Sequence, residues 1–331
     1  MKIMVYEARP DERADLEKQA ALHGVELSVT DAVPTLENAS LAAGCIGVSI
    51  LGQGCIDAAL LDAYHALGIR YLSTRTIGYD HIDLDHARSI GLRVCSASYA
   101  PNGVADFTVM MILMCLRHYK QALWRGQVND FSLTGLQGRE MKDLTIGIIG
   151  TGRIGAQVAR NLSGFGCRIL AYDLRRNPAV EPQVTYVNFD TLLAQSDVIT
   201  LHMPLLDSNR HIINRESIAK MRDGVVIVNC SRGELADIEA LIEGIETGKI
   251  GALGMDTVEG DEGIIHADHR VDILPNRNWF YLHQFRNVIM TQHMAFYTDA
   301  AVSSMVDCGI GGICQMAAGE SCPTELTGPV Q

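Results

Sequence analysis

The sequence of 331 residues lacks several features that would place it in a specialised class of protein. Its apolar runs are shorter than the ~18–20 residues of a membrane-spanning helix. The amino-terminal segment carries charges directly after one short apolar strand, so we expect no signal peptide. The formal net charge of −12 argues against a nucleic-acid partner, because neutralising phosphates requires a basic surface.

The nine cysteines contain no Cys-x-x-Cys pair and are scattered through apolar segments. This pattern predicts reduced, mostly buried thiols and a cytoplasmic location. Cys308, Cys314 and Cys322 lie near the end of the sequence and raise the alternative of a metal site. Positions scattered over a helix and a tail are the better interpretation, so no metal is expected.

The rest of the composition is that of an ordinary globular protein, with 47% hydrophobic and 20% charged residues. The length predicts two domains of ~130–200 residues. Short strands and helices alternate, which predicts an α/β fold with two open parallel sheets, Rossmann-like or flavodoxin-like. We place a substrate-binding, catalytic domain at residues 1–100 plus 299–331 and a dinucleotide-binding Rossmann domain at 101–298. The active site is expected in the cleft between them, and segment 260–282 is expected to be an ordered loop.

The most informative segment is 144–173, which reads LTIGIIGTGRIGAQVARNLSGFGCRILAYD. A buried strand leads into a Gly-x-Gly-x-x-Gly motif, and a helical pattern and a second strand follow. Gly150 permits a tight turn, Gly152 lets the backbone approach a pyrophosphate, and Gly155 lets helix and strand pack closely. The helix N-terminus supplies N–H groups and a partial positive charge to the phosphates. The pattern predicts dinucleotide binding.

Asp173 closes the second strand and is placed to accept hydrogen bonds from an adenosine ribose. A carboxylate at this position favours NAD over NADP, because it would repel a 2′-phosphate. Arg175 and Arg176 lie just beyond it, and they either serve the phosphates or are simply solvated.

Three later strands end in polar segments at the edge where open α/β sheets bind ligands. The first offers Arg232, the second offers carboxylates from Asp256 to Glu262, and the third offers His293. Redox chemistry between a hydroxyl and a carbonyl needs a proton donor, usually histidine, and a cation for a substrate carboxylate. Both residues also have a structural interpretation. Arg232 could form an ion pair at the end of its strand, and His293 could be a hydrogen-bonded histidine of the core.

Several motifs carry a resemblance to a known family, namely STRTIGYDHIDL at 73–84, YAPNGVADFTVMMILMCLR at 99–117 and GREMKDLTIGIIGTGRIG at 138–155. The chain resembles the D-2-hydroxyacid dehydrogenases over essentially its full length, and specifically their D-lactate dehydrogenase branch. Within that branch it looks closest to the D-lactate dehydrogenases of vancomycin resistance. The phenyllactate and 2-hydroxyisocaproate dehydrogenases of anaerobes are also similar.

The resemblance implies a homodimer that uses NAD to reduce a 2-oxo acid to the (R)-2-hydroxy acid. It implies that Arg232 binds the substrate carboxylate and that His293 is the general acid/base. It also implies substrate contacts from Arg75, Ile77, Gly78, Tyr99 and Phe296. In the alternative interpretation, the two aromatic residues, Tyr99 and Phe296, belong to the hydrophobic core. The residues that it implies for the cofactor are Gly150, Gly152, Arg153, Ile154, Gly155, Asp173, His202, Pro204, Asn229, Cys230, Ser231 and Asp256.

The chain departs from the family pattern in two places. The family has a glutamate five residues after the position of Asp256, and its carboxylate raises the pKa of the catalytic histidine. Here that position is Asp261, one methylene shorter, with Glu259 and Glu262 as flanking alternatives. The proline that usually precedes the histidine is Gln292, which removes some rigidity but not the catalytic group.

The preferred substrate stays open at this point. We expect activity on pyruvate with tolerance of larger apolar 2-oxo acids, because glycines in segment 50–55 leave room that a bulkier loop would fill. In a second interpretation, those glycines serve turn geometry alone. Two competing functions share the same motifs: a glyoxylate/hydroxypyruvate or phosphoglycerate dehydrogenase, and a non-catalytic NAD-sensing regulator.

Overall fold

The computed structural model describes residues 1–328. The chain forms two compact units, one from residues 1–100 together with the chain from 297 onward, the other from residues 101–296. The chain thus returns to the first unit at Tyr297, two residues before the position that the sequence predicts.

The described part of the chain contains twelve strands, eleven α-helices and six short 3-10 helices. The strands are β1 (Lys2–Val5), β2 (Glu26–Val29), β3 (Gly47–Ile50), β4 (Tyr71–Thr74), β5 (Arg93–Cys95), β6 (Thr145–Ile149), β7 (Arg168–Tyr172), β8 (Thr185–Tyr186), β9 (Val198–Leu201), β10 (Val225–Asn229), β11 (Ile250–Met255) and β12 (Val288–Met290). The helices are α1 (Arg13–His23), α2 (Ala58–Ala66), α3 (Leu84–Ser89), α4 (Asn102–Leu116), α5 (Tyr119–Gln127), α6 (Arg153–Ser163), α7 (Phe189–Gln195), α8 (Arg215–Lys220), α9 (Ile238–Glu246), α10 (Arg277–Gln284) and α11 (Asp299–Ala317).

The first unit is a five-stranded parallel sheet in the order β2-β1-β3-β4-β5. Helix α11 is long and apolar enough to cross a membrane by composition, but it packs against this sheet. Val306, Ile310 and Ile313 of α11 are buried against Ile3 and Val5 of β1. Its apolar character therefore reflects its place in the core of the unit.

The second unit is a seven-stranded parallel sheet in the order β12-β11-β10-β9-β6-β7-β8. Read from β8 to β11, this is the strand order of a dinucleotide-binding fold, extended at one edge by β12. Strands β6, β9 and β10 are buried at every position, as expected for a sheet covered by helices on both faces. The predicted architecture of two parallel-sheet α/β domains is confirmed.

Helix α10 begins inside the 260–282 segment that the sequence predicts to be a loop and ends two residues beyond it, so that prediction is wrong for residues 277–282. The side chain of Asn276 caps the helix by accepting a hydrogen bond from the N–H of Trp279, at 3.0 Å. Trp279 packs on the core and Leu282 is fully buried, one helical turn apart. Because charged and polar residues surround these two positions, the sequence shows no clear helical pattern of apolar residues here.

Arg75 is completely buried in the first unit, and its guanidinium forms an ion pair with the equally buried Glu12. Its Nε donates to Glu12 Oε1 at 2.9 Å, and its terminal nitrogens donate to Ser49 Oγ and to the carbonyls of Tyr6 and Glu7. A guanidinium enclosed in this way is not placed to contact a substrate. The prediction of Arg75 as a substrate contact is therefore replaced by a structural role.

Removing one partner of this buried pair should destabilise the protein strongly. We expect Glu12→Ala to lower the free energy of unfolding by about 3–5 kcal/mol, because the guanidinium of Arg75 is left buried and uncompensated. The double variant Glu12→Met/Arg75→Met should recover much of the lost free energy of unfolding. The control is Arg270→Ala, which breaks an exposed ion pair with Asp268 and should change the free energy of unfolding little. Urea denaturation checks this, and a Glu12→Ala variant as stable as wild type would contradict it.

Candidate active site

The predicted site residues of the second unit lie along one edge of its sheet. The carboxyl ends of six adjacent strands carry them, in the spatial order β12, β11, β10, β9, β6 and β7. From one end of this row to the other, the residues that follow the strands are His293, Asp256, the 229–232 segment, the 202–204 segment, the 150–155 loop and Asp173. The sheet topology thus brings together residues that are far apart in the sequence.

The loop between β6 and α6 fits a dinucleotide. A Cβ on Gly155 would lie 1.9 Å from the carbonyl oxygen of Gly150, so the close packing of helix and loop depends on this glycine. A Cβ on Gly152 would meet no protein atom within 4 Å, which leaves open space beside this residue. Gly152 is also the N-cap of α6 and provides no capping side chain. The first turn of α6, with Arg153 and Ile154, therefore presents backbone N–H groups to a phosphate.

Asp173 follows β7 and is held by the glycine loop itself. Its Oδ2 accepts hydrogen bonds from the N–H and hydroxyl of Thr151 at 2.6 and 3.0 Å, and its Oδ1 accepts from the N–H of Arg175 at 2.9 Å. The guanidinium of Arg176 stacks over the ring of Tyr186, 5.5 Å from the ring centroid. The carboxylate is thus fixed at the strand end where a ribose is expected.

His202 follows β9 and is half-buried, with its Nδ1 atom enclosed by the protein. Burial lowers the pKa of His202 to about 3, and its Nε2 lies 2.9 Å from the hydroxyl of Thr200. Its Nδ1 has no hydrogen-bond partner among residues 1–328. A buried polar atom without a partner is expensive, so a cofactor group that bonds to it would be stabilised. Pro204 lies two residues further on, at the surface.

The segment after β10 is tied to its neighbours on both sides. The hydroxyl of Ser231 donates to the carbonyl of Met203 at 2.6 Å, which joins the ends of β10 and β9. Cys230 is buried, and burial raises the pKa of its thiol. A Cβ on Gly233 would lie 2.3 Å from the carbonyl carbon of Val258, so this glycine lets the loops after β10 and β11 touch.

Asn229 and Asp256 join the backbone of Arg232 to the segment that carries His293. The side-chain amide of Asn229 donates to the carbonyl of Arg232 at 2.7 Å, and the carbonyl of Asn229 accepts from the N–H of Asp256 at 2.9 Å. The buried carboxylate of Asp256 then accepts three further hydrogen bonds, from the Thr291 hydroxyl at 2.6 Å and from the N–H groups of Met294 and Ala295 at 2.8 Å each. His293 lies between these donors in the chain.

The resemblance assigns Asp256 to the nicotinamide side of the cofactor, and that contact stays a prediction. Both of its oxygens are used within the protein, and the residue is 1% exposed. His293 adopts a left-handed backbone conformation with φ of +53°, which is unfavourable for a residue with a side chain. The structure thus gives Asp256 the role of fixing the conformation of the His293 segment.

The three candidate carboxylates for pairing with His293 have different surroundings. Glu259 is paired with His211, whose Nε2 lies 2.6 Å from Oε1, and Glu262 is exposed. Asp261 is half-buried, and its Oδ2 accepts from the N–H of Val258 at 3.2 Å. Burial raises the pKa of Asp261 to about 7, helped by the negative charges of Glu262, Glu234 and Asp256 and opposed by the Val258 N–H. A raised pKa in such surroundings is typical of a functional carboxyl group.

The structure also brings His266 to the His293 segment, which sequence reasoning missed. The Nε2 of His266 lies 3.2 Å from the carbonyl oxygen of His293, and the two ring centroids are 6.2 Å apart. The ring of His266 meets the half-buried Phe296 edge to face at 6.3 Å. Nothing in the local sequence pattern distinguishes His266 from the other polar residues of its loop.

The remaining predicted contacts, Ile77, Gly78 and Tyr99, belong to the first unit. Ile77 and Gly78 follow β4, and the carbonyl of Gly78 accepts a hydrogen bond from the Thr76 hydroxyl at 2.6 Å. Tyr99 is half-buried after β5. Their contacts with substrate stay predictions.

Comparisons with known proteins agree with this geometry. The model of the NAD-binding domain of the D-isomer specific 2-hydroxyacid dehydrogenases matches residues 109–295, more than half of the chain. The aromatic 2-oxoacid reductase of Clostridium sporogenes is 42% identical over 311 residues, which cover 93% of each chain. The D-lactate dehydrogenase of Lactobacillus delbrueckii subsp. bulgaricus is 39% identical over 308 residues, 92% of each.

The chain belongs to the D-isomer specific 2-hydroxyacid dehydrogenases. Among solved structures, that of D-lactate dehydrogenase with NAD⁺ from Lactobacillus jensenii superposes on this dehydrogenase with a TM-score of 0.84 at 32% identity, covering 98% of this chain and 99% of the other. The dehydrogenase is an NAD-dependent oxidoreductase that reduces 2-oxo acids. The predictions of family, enzyme class and cofactor are confirmed.

The raised pKa of Asp261 should be visible in the stability of the dehydrogenase. An unfolded aspartate ionises near 3.8, whereas folded Asp261 ionises near 7, so the folded state loses relative stability as the pH rises between these values. Asn cannot ionise, so the Asp261→Asn variant does not lose this stability. The melting temperature of the variant minus that of wild type should therefore increase between about pH 4 and pH 7 and stay constant above pH 7. Asp268→Asn is the control, because Arg270 lowers the pKa of Asp268 and no gain is expected. A constant difference across this range would show that Asp261 is ionised throughout.

Proposed function

We propose that this dehydrogenase reduces pyruvate to D-lactate and accepts larger apolar 2-oxo acids. The observation that carries the proposal is the hydrogen-bonded chain from Arg232 through Asn229 and Asp256 to the backbone around His293. It joins the segments that carry a guanidinium and an imidazole, in a sheet whose glycine loop fits a dinucleotide. These are the groups that reduction of a 2-oxo acid requires.

Each group has one task in this reaction. NAD, bound in reduced form, supplies the hydride that reaches the carbonyl carbon. The residues proposed to hold it are those of the 150–155 loop and Asp173, together with His202, Pro204, Cys230 and Ser231. The guanidinium of Arg232 binds the substrate carboxylate through its fork of donors and polarises the carbonyl. His293 gives its proton to the carbonyl oxygen, which yields the (R)-2-hydroxy acid.

Asp261 is proposed to be the partner of His293, because Glu259 is occupied by His211 and Glu262 is exposed. A carboxylate near the imidazole favours the imidazolium and raises its pKa, so the proton is available at higher pH. Asp261→Asn should therefore lower the apparent pKa above which reduction declines. The same shift on Glu262→Gln or Glu259→Gln, but not on Asp261→Asn, would assign the role to that residue instead.

Aromatic 2-oxo acids are the second candidate substrates. The supporting observation is the 42% identity to the aromatic 2-oxoacid reductase of Clostridium sporogenes over 93% of the chain. The edge-to-face pair of His266 and Phe296 also offers an aromatic surface beside His293. A substrate with a planar side chain would pack well against it.

A cytoplasmic homodimer is proposed from an exposed apolar surface on the second unit. Helix α5 and the loop after it expose six large apolar side chains, namely Tyr119, Leu123, Trp124, Val128, Phe131 and Leu133. Exposed apolar patches of this kind mark protein–protein contacts. Sedimentation at the 36.1 kDa of a single chain would rule out the dimer.

The free thiols of all nine cysteines fit a reducing compartment such as the cytoplasm.

A substrate panel tests the proposed function directly. We expect NADH-dependent turnover of pyruvate, 2-oxoisocaproate and phenylpyruvate, with kcat/KM values within about 100-fold of one another, which corresponds to at most about 3 kcal/mol of discrimination. Chiral chromatography should identify the products as the R enantiomers. A preference above about 100-fold for phenylpyruvate would overturn the pyruvate assignment, and absence of turnover with all three would overturn the function.

The proposed general acid is tested by substitution. His293→Ala should lower kcat by about 10²–10⁴-fold while the dissociation constant of NADH stays within about threefold of wild type, because proton transfer is lost and the nucleotide loop is untouched. Arg232→Lys is the companion variant, and it should also be severe because an ammonium cannot form the bidentate contact. Stopped-flow kinetics and NADH fluorescence supply the two measurements. A fully active His293→Ala enzyme would remove His293 from the mechanism.

A further inference from the structure

The sheet of the first unit has a ligand-binding edge of its own. Its strand order reverses between β1 and β3, and open α/β sheets bind ligands beyond the carboxyl ends of the strands at such a reversal. Glu7 follows β1 and residues 51–53 follow β3, so both flank this point. The mechanism proposed above uses neither of them.

Glu7 places a buried carboxylate where this kind of sheet edge usually receives a ligand. Its oxygens accept hydrogen bonds from three consecutive backbone N–H groups, those of Leu51, Gly52 at 2.9 Å and Gln53 at 2.8 Å. The residue is 3% exposed and has a left-handed backbone with φ of +55°. Its own carbonyl accepts from Arg75. Successive N–H groups of this kind form an anion-binding nest, and here the anion is part of the protein.

His81 holds the same loop from the other side. Gly52 has φ of +90°, and a Cβ on this residue would lie 2.9 Å from the Cε1 of His81. The space that the missing side chain leaves is thus filled by an imidazole ring. Gly52 therefore serves the turn and the packing of His81.

The loop is connected through His81 to the segment after β4. The Nε2 of His81 lies 3.3 Å from the hydroxyl of Thr74, which is 2.6 Å from the hydroxyl of Thr76. Thr76 in turn donates to the carbonyl of Gly78 at 2.6 Å. The 51–53 loop is therefore coupled to the 76–78 segment, which holds two of the predicted substrate contacts.

We infer that Glu7 is a positioning residue that sets which 2-oxo acid side chains the enzyme accepts. It does so by fixing the 51–53 loop at the sheet edge, so that the loop is ordered before substrate arrives. Preorganisation of this kind lowers the cost of binding. This role of Glu7 rests on the proposed function, because it concerns the range of 2-oxo acids that the enzyme reduces.

The test is Glu7→Gln, which keeps the shape of the side chain but replaces one acceptor oxygen with a donor. We expect KM for phenylpyruvate to rise about tenfold, KM for pyruvate to rise less than about threefold, and kcat to stay within about threefold. The larger substrate should lose more because an ordered loop selects among side chains, and pyruvate carries only a methyl group. Asp57→Asn is the matched control, since the carboxylate of Asp57 accepts from the N–H of Leu60 and so caps α2.

The outcomes separate the possible failures. A fall of at least about fivefold in the ratio of kcat/KM for phenylpyruvate to that for pyruvate, absent in Asp57→Asn, supports the role of Glu7. Equal ratios in Glu7→Gln, Asp57→Asn and wild type overturn it and leave the proposed function intact. If Glu7→Gln does not fold, the same ratio is measured for Gly52→Ala, because the added methyl group would clash with His81 and displace the loop. A wild-type enzyme that turns over neither substrate overturns the proposed function itself.

Discussion

The arrangement of the candidate site depends on the hydrogen bonds of the buried Asp256 carboxylate. His293 has a left-handed backbone, which costs roughly 1–2 kcal/mol for a residue with a Cβ. The carboxylate accepts from the N–H groups of Met294 and Ala295, and charge-assisted bonds of this kind stabilise by about 1.5–3 kcal/mol each. The balance favours the strained conformation. Because Asn229 links Asp256 to Arg232, one network orients the proposed acid and anchors the backbone of the proposed carboxylate-binding residue.

The parts of the site that the sequence predicts well are those whose partners are close in the chain. The β6–α6–β7 unit is an example, because its glycines, its helix and Asp173 lie close together in segment 144–173 and their spacing follows from local backbone geometry. Arg232 and His293 are located by the strand ends that precede them and by the resemblance. Parallel strands with right-handed connections then leave little freedom in where these strand ends meet.

The contacts that the sequence does not predict join residues distant in the chain. Arg75 has the pattern of a substrate ligand, yet its partner Glu12 is 63 residues away and the pair is completely buried. Asp256 and the N–H of Ala295 are 39 residues apart, and Glu7 and the N–H of Leu51 are 44 apart. Backbone N–H groups leave no trace in residue identity, so a carboxylate that binds them cannot be told from one that binds a cofactor.

The most direct test of this account is the effect of Asp256→Asn on catalysis and on cofactor binding, measured separately. An amide cannot accept from all three donors around His293, so we expect kcat to fall by at least about 100-fold. The dissociation constant of NADH should stay within about threefold of wild type, since the nucleotide loop does not depend on this carboxylate. If NADH binding is weakened while kcat at saturating NADH is unchanged, Asp256 is a cofactor ligand and its hydrogen bonds do not position His293.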